Sequence, residues 1–341
     1  MAAVNDIAID LGTSNVLIYM VGKGIVLREP AVVAMDRESR RPKAVGGDAY
    51  RMIGRTPSSI VAVRPMRQGA MADFEMTSQM LRTFVASVVG RHLFARPHAV
   101  MSVPTGVNDV EKRQLISVLI DAGMRRTQLI DKPIAAALGI GLDINAAYGS
   151  MIVDMGAGVS DIAVVASGEV VVAGTVPIGG DAFDDAIIRY LRKKDNLLVG
   201  ERTAEEIKIN IGTAVAPLSE LTMEVTGRNL ISGLPKTQRV SSMEVYEAVR
   251  EPLAGLIEAI QAVIERTPPQ LASDIFNRGI AFTGGAAALA GLAEAVYKSL
   301  NIPCGIADDP QTCVVMGCGR VLEDPTLRSF LQGGRRSIGR G

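Results

Sequence analysis

The sequence predicts an α/β fold made of two related halves, in which helices flank mixed sheets. Short apolar strands alternate with amphipathic helical segments along most of the chain. A strand that ends in an aspartate and leads into a glycine turn occurs twice, at Asp10 and at Asp154. Each half later repeats an apolar strand, a glycine turn and a helix in that order. This repeated order of elements indicates an internal duplication.

Each half begins with a predicted meander of short strands. The apolar or alternating runs that predict these strands are separated by glycine-containing turns, and they lie at residues 6–11, 16–20 and 25–27, and again at 151–153, 162–166 and 170–172. The later strand, glycine turn and helix are predicted within residues 99–120 of the first half and 280–300 of the second. We therefore expect two sheets with the same starting topology.

Two insertions separate the repeated parts, at about residues 31–65 and 180–241. The second insertion has helical patterns at 181–193 and 203–211. Thr203 followed by Glu206 has the spacing of a capping box, which predicts the start of the second of these helices. Residues 329–341 are rich in glycine and arginine, which predicts a flexible basic tail, and such a tail could also contact anionic lipid.

Length and composition exclude several classes of protein. A chain of 341 residues favours two domains. Lysine plus arginine and aspartate plus glutamate both number 36, and this balance excludes the broad basic surface of a nucleic-acid coat, so we expect no nucleic-acid partner. Aromatic residues make up 4% of the chain, with no tryptophan, so stacking platforms for single-stranded nucleic acid are poorly supplied.

Cysteine usage and the amino terminus favour a cytoplasmic protein. Cys304, Cys313 and Cys318 have no zinc-site spacing and lie far from both histidines. Unpaired thiols of this kind suit a reducing compartment. The first residues show no signal-peptide pattern, and no apolar run reaches the length of a membrane span. Any membrane association is therefore expected to be peripheral.

The two glycine turns next to Asp10 and Asp154 are candidate phosphate-binding loops. Consecutive backbone N–H groups in such a turn can hold an anion, and a carboxylate at the strand end can hold magnesium through water. Two such loops facing one another would clamp the phosphates of a nucleotide. Either loop alone could instead be a tight hairpin turn, but their duplication favours the phosphate-binding interpretation. The chain has neither a Walker-type loop nor a complete dinucleotide fingerprint.

Short motifs along the chain resemble those of one protein family, in order and with similar spacing. They are Asp10-Leu11-Gly12-Thr13-Ser14-Asn15, Arg55-Thr56-Pro57, Arg64-Pro65-Met66, Ala72-Asp73-Phe74, Gly200-Glu201-Arg202-Thr203-Ala204-Glu205, Gly233-Leu234-Pro235-Lys236 and Thr267-Pro268-Pro269. Together they resemble the bacterial actin MreB family, including its Mbl-type paralogues, from about residue 6 to residue 322.

This resemblance implies the actin- and Hsp70-like fold, a duplicated ribonuclease H-type fold. Two lobes of two subdomains each would hold ATP and Mg²⁺ in the cleft between them. Transferred to this chain, the expected division is subdomain IA at 1–30, 66–145 and 311–330, subdomain IB at 31–65, subdomain IIA at 146–180 and 242–310, subdomain IIB at 181–241, and a flexible basic tail at 331–341.

The resemblance also implies roles for individual residues. Asp10 and Asp154 would orient Mg²⁺ through water, and the other residues would contact ATP. The first phosphate loop would be Gly12, Thr13, Ser14 and Asn15, and the second Gly156, Ala157 and Gly158. The nucleoside would lie between Glu205, Glu206, Ile207 and Lys208 on one side and Gly284, Gly285, Ala286 and Ala287 on the other. Ala157, Ala286 and Ala287 depart from the family's usual pattern at these turns.

Two further departures affect the expected hydrolysis. Lys132 stands where the family usually has a glutamate that positions the attacking water, and Val159 stands where it has a threonine that assists. An ammonium group neither orients this water well nor accepts its proton. We therefore predict that the chain binds ATP but is at most a weak ATPase. The alternative is that Asp131 or Ser160 takes over the missing role.

Family membership would also imply filaments at the membrane. Leu93 and Phe94, flanked by cations, match the family's membrane loop in position, although they could equally fill the core of their own subdomain. The few residues before the first strand are too short for a membrane-binding helix. The predicted helix at 111–121 lies near the family's contact between paired protofilaments, but core packing explains its pattern equally well.

The expected function is therefore that of a filament subunit that helps to organise cell-wall synthesis and cell shape. Expected partners are other copies of the chain in head-to-tail and paired protofilaments, an MreB-type paralogue, RodZ- and MreC-like membrane proteins, and an anionic membrane surface. The alternatives are an ordinarily active MreB-type ATPase, a small-molecule kinase on the same fold, and a nucleotide sensor that never polymerises. Lys132 disfavours the kinase, because a base would help at that position, and the chain is too short for an Hsp70-like chaperone.

Overall fold

The computed structural model describes residues 6–90 and 97–336. The chain divides into two compact units, each made of separate segments. The first unit comprises residues 1–147, 165–170 and 311–341, and the second comprises residues 148–164 and 171–310. The predicted Leu93 and Phe94 membrane pair lies outside the described residues.

The main sheet of the first unit begins with the meander that the sequence predicts. Its strands are β1 (Ile7–Leu11), β2 (Asn15–Met20) and β3 (Gly24–Pro30), and neighbouring strands run antiparallel. Every residue of β1 is buried, as expected for a central strand covered on both faces. The remaining strands of the sheet are β9 (His98–Val103), β10 (Arg126–Asp131) and β19 (Gln332–Arg336), and the sheet order is β19-β10-β9-β1-β2-β3.

Helices and smaller sheets complete the first unit. The helices are α1 (Gly47–Met52), α2 (Phe74–Val89), α3 (Asp109–Asp121), α4 (Lys132–Gly139) and α10 (Cys313–Glu323). The first insertion forms a small sheet of β4 (Val33–Asp36), β5 (Pro42–Val45) and β6 (Ile60–Val63), and β7 (Met66–Arg67) pairs with β8 (Ala70–Met71). A 3₁₀ helix spans Pro325–Phe330.

The second unit repeats the topology of the first. Its main sheet has the order β13-β12-β11-β17-β18, with β11 (Ser150–Met155), β12 (Ser160–Ala166), β13 (Glu169–Val176), β17 (Ile280–Thr283) and β18 (Cys304–Ile306). The strand pairs β1–β9 and β11–β17 both run parallel. The meander and the later strand of each half are therefore confirmed.

The second insertion and the remaining helices also belong to the second unit. The insertion contains a small sheet of β14 (Leu197–Leu198), β15 (Thr222–Asn229) and β16 (Pro235–Ser241). The helices are α5 (Gly180–Asp195), α6 (Glu201–Ile211), α7 (Ser242–Glu265), α8 (Pro269–Arg278) and α9 (Leu292–Leu300), and a 3₁₀ helix spans Gly285–Ala288. Within the described ranges, no helix combines the length and the apolar character that crossing a bilayer requires.

Two local predictions are wrong. The capping box at Thr203 does not form, because α6 begins at Glu201 with Gly200 as its cap and Arg202 pairs with Glu206 at 3.1 Å. The predicted flexible tail is also wrong for Gln332–Arg336, which forms β19. This strand pairs antiparallel with β10 and supplies the backbone hydrogen bonds that the edge of the sheet would otherwise lack.

The packing of α4 against α10 depends on two glycines. A Cβ at Gly139 would lie 1.8 Å from the carbonyl oxygen of Cys313, and a Cβ at Gly317 would lie 1.8 Å from the carbonyl oxygen of Ala135. Both distances are far shorter than any real Cβ contact, so the backbones of the two helices touch directly. This contact fixes the position of α4, whose first residue is Lys132.

We expect protonation of His98 to destabilise the protein in mild acid. Burial lowers the pKa of His98 from its ordinary value of 6.5, and Arg126 lowers it further, whereas Asp6 raises it. As the pH falls through 6.5, the His98 imidazole takes up a proton in the unfolded chain before it does so in the folded protein, and this favours unfolding. The contribution of neutral His98 to the free energy of unfolding is therefore present above pH 6.5 and is lost below it.

Chemical unfolding between about pH 7 and pH 5 measures this effect. The His98→Gln variant should lose less stability than the wild type over that range, and His92→Gln serves as the matched control. An identical pH dependence in His98→Gln and the wild type would contradict the assignment.

Candidate functional site

Polar side chains of the first unit gather where three neighbouring strands end. Because β1, β9 and β10 run parallel to one another, their carboxyl ends meet at one edge of the sheet. Asp10, Ser102 and Asp131 occupy these ends. The Ser102 hydroxyl donates a buried hydrogen bond to Asp10 Oδ1 at 2.7 Å. This bond holds the Asp10 carboxylate beside the turn that follows β1.

The turn that we name the first turn, residues 12–15, connects β1 to β2. Gly12 N–H donates to the carbonyl of Asn15 at 3.0 Å, and a Cβ at Gly12 would lie 2.8 Å from that oxygen, so the tight turn requires glycine. The hydroxyl of Thr13 accepts from Gly69 N–H at 3.1 Å. The Arg64 guanidinium donates to the hydroxyl of Ser14 at 3.1 Å. A cation therefore lies beside the candidate phosphate-binding turn.

Lys132 forms an ion pair with Asp10. The Nζ atom of Lys132 lies 3.5 Å from Asp10 Oδ1, and the two side chains are only 11% and 12% exposed. Coulomb's law with an effective dielectric constant of 20 gives about 5 kcal/mol of attraction at this distance, before the cost of desolvation is subtracted. The Cys318 thiol is fully buried near the pair, and burial raises its pKa well above the usual range, with a further rise from Asp10. Lys132 therefore neutralises a carboxylate that the sequence assigned to magnesium.

The second unit contains the same arrangement at Asp154. In the turn that we name the second turn, residues 156–159, Gly156 N–H donates to the carbonyl of Val159 at 2.9 Å, as Gly12 does to Asn15. The hydroxyl of Thr283, at the end of β17, donates to Asp154 Oδ1 at 2.9 Å. Aspartate, hydroxyl donor and glycine turn thus occur in both units with nearly the same hydrogen bonds. The structure supports the internal duplication at the level of single atoms.

The second turn contacts the beginning of α5. Gly180 N–H donates to the carbonyl of Gly156 at 3.0 Å, and Asp181 N–H donates to that of Ala157 at 2.9 Å. A Cβ at Gly179 would lie 2.4 Å from the Ala157 carbonyl oxygen, so only glycine allows this close approach. The amino end of a helix carries a partial positive charge and favours anions.

Several predicted nucleotide-binding residues come together at the same place. A Cβ at Gly180 would lie 3.7 Å from Ala157 Cα, 3.1 Å from Lys208 Nζ and 3.8 Å from Ala286 Cβ. Gly284 has a positive φ of 84°, and its Cβ would lie 2.3 Å from the Met155 carbonyl oxygen. The glycine there lets the turn that we name the third turn, residues 284–287, approach the end of β11. The structure therefore brings the second turn, α6 and the third turn together within the second unit.

Lys208 ties α5 to α6. Its Nζ donates to the carbonyl of Gly180 at 2.9 Å and lies 2.8 Å from the carboxylate of Asp184. Burial raises the pKa of Asp184 to about 6, although Lys208 opposes that rise. Lys208, which the sequence predicts to contact the nucleoside, therefore also has a structural role: it fixes the start of α5.

Two of the predicted nucleotide contacts cannot be made by side chains. Ile207 and Ala287 are both fully buried in the core of the second unit. Ile207 lies on the inward face of α6, whereas Glu206 on the outward face is exposed and pairs with Arg202. Only the backbone atoms of Ile207 and Ala287 could touch a ligand.

The residues that could replace the missing catalytic groups are already engaged. The Asp131 carboxylate accepts a hydrogen bond from Gln332 Nε2 at 2.7 Å, and burial raises its pKa. The Ser160 hydroxyl is buried and donates to the carbonyl of Ile178 at 2.5 Å. These hydrogen bonds hold both side chains in place, although the oxygens of each side chain keep the capacity to accept further hydrogen bonds.

Sequence reasoning missed Ser102 as the partner of Asp10, and it missed the bond between Thr283 and Asp154. Each hydroxyl belongs to a strand far from its aspartate in the chain, and only the parallel pairing of the strands brings them together. The signal was present as a hydroxyl residue near the end of the apolar strand in each half. Arg64 was noted only as part of a family motif, without a role.

The donor set fits a nucleotide better than a directly ligated metal ion. No group of three or more histidine, cysteine, aspartate or glutamate side chains in the part of the chain that the structure describes is arranged to hold a metal. Asp154, which accepts a hydrogen bond from Thr283 beside the second turn, is a residue that could hold Mg²⁺ through water. Asp10 does not fit that role equally, because Lys132 already lies against it.

Comparison with known proteins identifies close relatives. A family model described as MreB/Mbl protein matches residues 4–329. The cell shape-determining protein Mbl of Bacillus subtilis (strain 168) is 43% identical over 319 residues, which cover 94% of this chain and 96% of that protein. The cell shape-determining protein MreB of Escherichia coli (strain K12) is 45% identical over 324 residues, which cover 94% of this chain and 93% of that protein.

Solved structures agree with these matches. The crystal structure of MreB5 of Spiroplasma citri bound to AMPPNP has a TM-score of 0.89 and 32% identity, and the match covers 95% of this chain and 96% of that one. A MamK double helical filament has a TM-score of 0.79, and the match covers 94% of this chain and 99% of that one. At 22% identity it supports the fold alone.

The duplicated sheets and turns, together with these structural matches, define an actin-like α/β protein. The chain belongs to the MreB/Mbl family of cell shape-determining proteins. The family resemblance that the sequence motifs indicated is therefore confirmed, and with it the class of function, that of an actin-like cytoskeletal protein.

Proposed function

We propose that this chain binds ATP through the first and second turns and polymerises into filaments that organise cell-wall synthesis and cell shape. The observation that carries this proposal is the duplicated set of aspartate, hydroxyl donor and glycine turn in the two units. Backbone N–H groups at both turns suit the β- and γ-phosphates of a nucleotide. A relative of 32% identity, MreB5 of Spiroplasma citri, was crystallised with AMPPNP and with ADP.

Residues from three parts of the second unit would hold the nucleoside. The proposed contacts are Glu205 and Lys208 of α6 and the backbone at Gly284 and Gly285. The methyl groups of Ala157 and Ala286 would leave less room for the nucleotide than glycine would at these positions. Mg²⁺ would enter with the nucleotide, bound to its phosphates, with Asp154 orienting its water shell. When bound, this ion supplies charge neutralisation for the triphosphate.

Hydrolysis of ATP is proposed to be slow. Lys132 cannot accept a proton from water, and Val159 has no hydroxyl to orient it. Asp131 and Ser160, the groups that could compensate, are engaged by Gln332 and by the Ile178 carbonyl. Slow hydrolysis would give long-lived filaments, or copolymers with an active paralogue.

We further propose that the filaments act in the cytoplasm at the inner face of the membrane. The proposed partners are other copies of the chain, paralogues, and RodZ- and MreC-like membrane proteins of cell-wall elongation. The four-subdomain division transferred from the family is also proposed here. The small sheets of β4–β6 and β14–β16 would form the cores of subdomains IB and IIB.

One experiment tests nucleotide binding and polymerisation together. Purified full-length chain is titrated with fluorescent ATP in Mg²⁺ and then sedimented with and without ATP. We expect saturable binding and an ATP-dependent pellet, with phosphate release far slower than polymerisation. Absence of both binding and pelleting would overturn the proposal and leave only the fold. Binding without pelleting would favour the nucleotide sensor.

Membrane attachment is predicted to depend on Leu93 and Phe94. Full burial of each side chain contributes about 1.5–3 kcal/mol, which is weak for one subunit and large for a filament. The Leu93→Ser/Phe94→Ser variant should lose most co-sedimentation with anionic liposomes while still forming filaments in solution. A Val110→Ser variant, which alters an exposed apolar residue at the start of α3, is the matched control. Unchanged liposome binding in the double variant would contradict the prediction.

A further inference from the structure

Residues 64–71 follow the small sheet of β4–β6 and contact the first turn at two points. The Arg64 guanidinium donates to the hydroxyl of Ser14 at 3.1 Å, and Gly69 N–H donates to the hydroxyl of Thr13 at 3.1 Å. One side chain and one backbone group therefore hold this segment against the candidate phosphate-binding turn. Of these two contacts, only the one from Arg64 brings a full positive charge to the turn.

The backbone next to Arg64 is firmly anchored in the first unit. The carbonyl of Pro65 accepts hydrogen bonds from Ala72 N–H at 2.9 Å and from Asp73 N–H at 3.2 Å. Met66 is only 3% exposed and packs in the hydrophobic core of the first unit. The two residues that follow Arg64 thus fix its backbone, and its half-buried side chain lies beside the first turn before any ligand binds.

The hydrogen bond to Ser14 leaves the charge of Arg64 intact. A guanidinium has five N–H groups, and the bond to this neutral hydroxyl uses one of them. Lys132 also lies close to the first turn, but its ammonium group is 3.5 Å from Asp10 Oδ1 and is paired with that carboxylate. The planar fork of a guanidinium matches two oxygens of one phosphate group. Arg64 therefore has both the charge and the donor geometry that a phosphate ligand requires.

The second turn has positive surroundings of a different origin. It contacts the amino end of α5, where Gly180 N–H donates to the carbonyl of Gly156 at 3.0 Å. The Lys208 ammonium group donates to the carbonyl of Gly180 at 2.9 Å. In the first unit, β3 is followed by the strand β4, whereas in the second unit β13 is followed by the helix α5. The duplicated halves thus differ at this point, and Arg64 brings a positive charge to the first turn.

We infer that Arg64 is a phosphate-binding residue, whose guanidinium holds the phosphates of a nucleoside triphosphate at the first turn. This inference rests on the proposed ATP binding. A phosphate bound at the first turn would lie within reach of the guanidinium, which already stands one hydrogen bond away from Ser14. Hydrogen bonds between a guanidinium and a phosphate are charge-assisted and roughly twice as strong as those between neutral groups.

Variants of the 64–71 segment test this role through their affinity for ATP. Fluorescent ATP with Mg²⁺ is titrated into the full-length chain. Arg64→Gln keeps a donor for Ser14 but removes the charge, so it should weaken binding by about tenfold or more, which corresponds to 1.4 kcal/mol. Arg64→Lys keeps the charge without the fork and should lose about threefold. Arg67→Gln, at an exposed position of the same segment, is the matched control and should bind like the wild type.

Salt dependence separates phosphate binding from a purely structural role. Added KCl screens the attraction between Arg64 and the phosphates, so the ATP affinity of the wild type should fall more steeply with KCl than that of Arg64→Gln. Thermal unfolding without nucleotide shows whether each variant folds. Arg64→Met, which also removes the charge, takes the place of Arg64→Gln if that variant does not fold.

The outcomes distinguish this inference from the proposed function. If the folded charge-free variant binds ATP as tightly as the wild type, or loses affinity with an unchanged salt dependence, the role of Arg64 is overturned and the proposed function stands. An equal loss in Arg64→Lys and Arg64→Gln would also contradict a role for the charge. If the wild type binds no ATP, the proposed function itself fails.

Discussion

Replacing Lys132 with glutamate should raise the rate of ATP hydrolysis by about 100-fold, because the change supplies a carboxylate that can orient the attacking water and accept its proton. The side chain at this position starts α4 and lies against Asp10 at the carboxyl edge of the sheet. Asp131 and Ser160, which could otherwise act, are held by hydrogen bonds to Gln332 and to the Ile178 carbonyl. Phosphate release at saturating ATP and Mg²⁺ measures the gain.

Lys132→Gln is the control for this prediction, because it removes the positive charge without providing a base. It should leave hydrolysis as slow as in the wild type. Adding Val159→Thr to Lys132→Glu should increase the rate further, since a hydroxyl then stands at the second turn. A wild type that hydrolyses ATP as fast as an ordinary actin homologue, or an inactive Lys132→Glu variant that folds and binds ATP, would show that Lys132 does not control this step.

Replacing Gly317 with alanine should destabilise the first unit by about 3 kcal/mol or more. The new methyl group would lie 1.8 Å from the Ala135 carbonyl oxygen and 2.9 Å from Gly139 N, so α4 and α10 would have to move apart. Backbone atoms cannot rotate away as a flexible side chain can. Because α4 carries Lys132, ATP affinity should fall in any fraction that still folds.

The unfolding midpoint in urea, followed by circular dichroism, measures this loss. Gly305→Ala is the control, since a Cβ there meets nothing within 4 Å. Its free energy of unfolding should differ from that of the wild type by less than about 0.5 kcal/mol. A Gly317→Ala protein as stable as Gly305→Ala would contradict the direct backbone contact between the two helices.

The sequence predicted the features that depend on local pattern. Alternation of apolar residues and glycine turns located the meanders around Asp10 and Asp154, and both are present. The repeated pattern of strand, aspartate and glycine turn located both the first and the second turn, and the first is also part of a family motif. The main helices of the second insertion were predicted within a few residues, although the cap at Thr203 was not. That helix already begins at Glu201, so Thr203 lies inside it and cannot cap it.

The missed features depend on contacts between distant parts of the chain. A hydroxyl residue near the end of the strand is visible in the sequence at Ser102, but only the parallel strand pairing brings this hydroxyl to Asp10. The composition of residues 332–336 is typical of a flexible tail, yet the open edge of β10 pairs with it. The sequence placed Lys132 at a catalytic position but did not show that its charge is already neutralised by Asp10.

The discontinuous first unit affects how the chain folds during synthesis. Helix α10 packs on β1, β2 and β9, but it lies at Cys313–Glu323, and the whole second unit separates it from those strands in the sequence. While the ribosome is still translating the second unit, the apolar face of that sheet has not received its covering helix. The nascent first half should therefore be a ligand for general chaperones until translation is nearly complete, whereas the second unit can fold as soon as it leaves the ribosome.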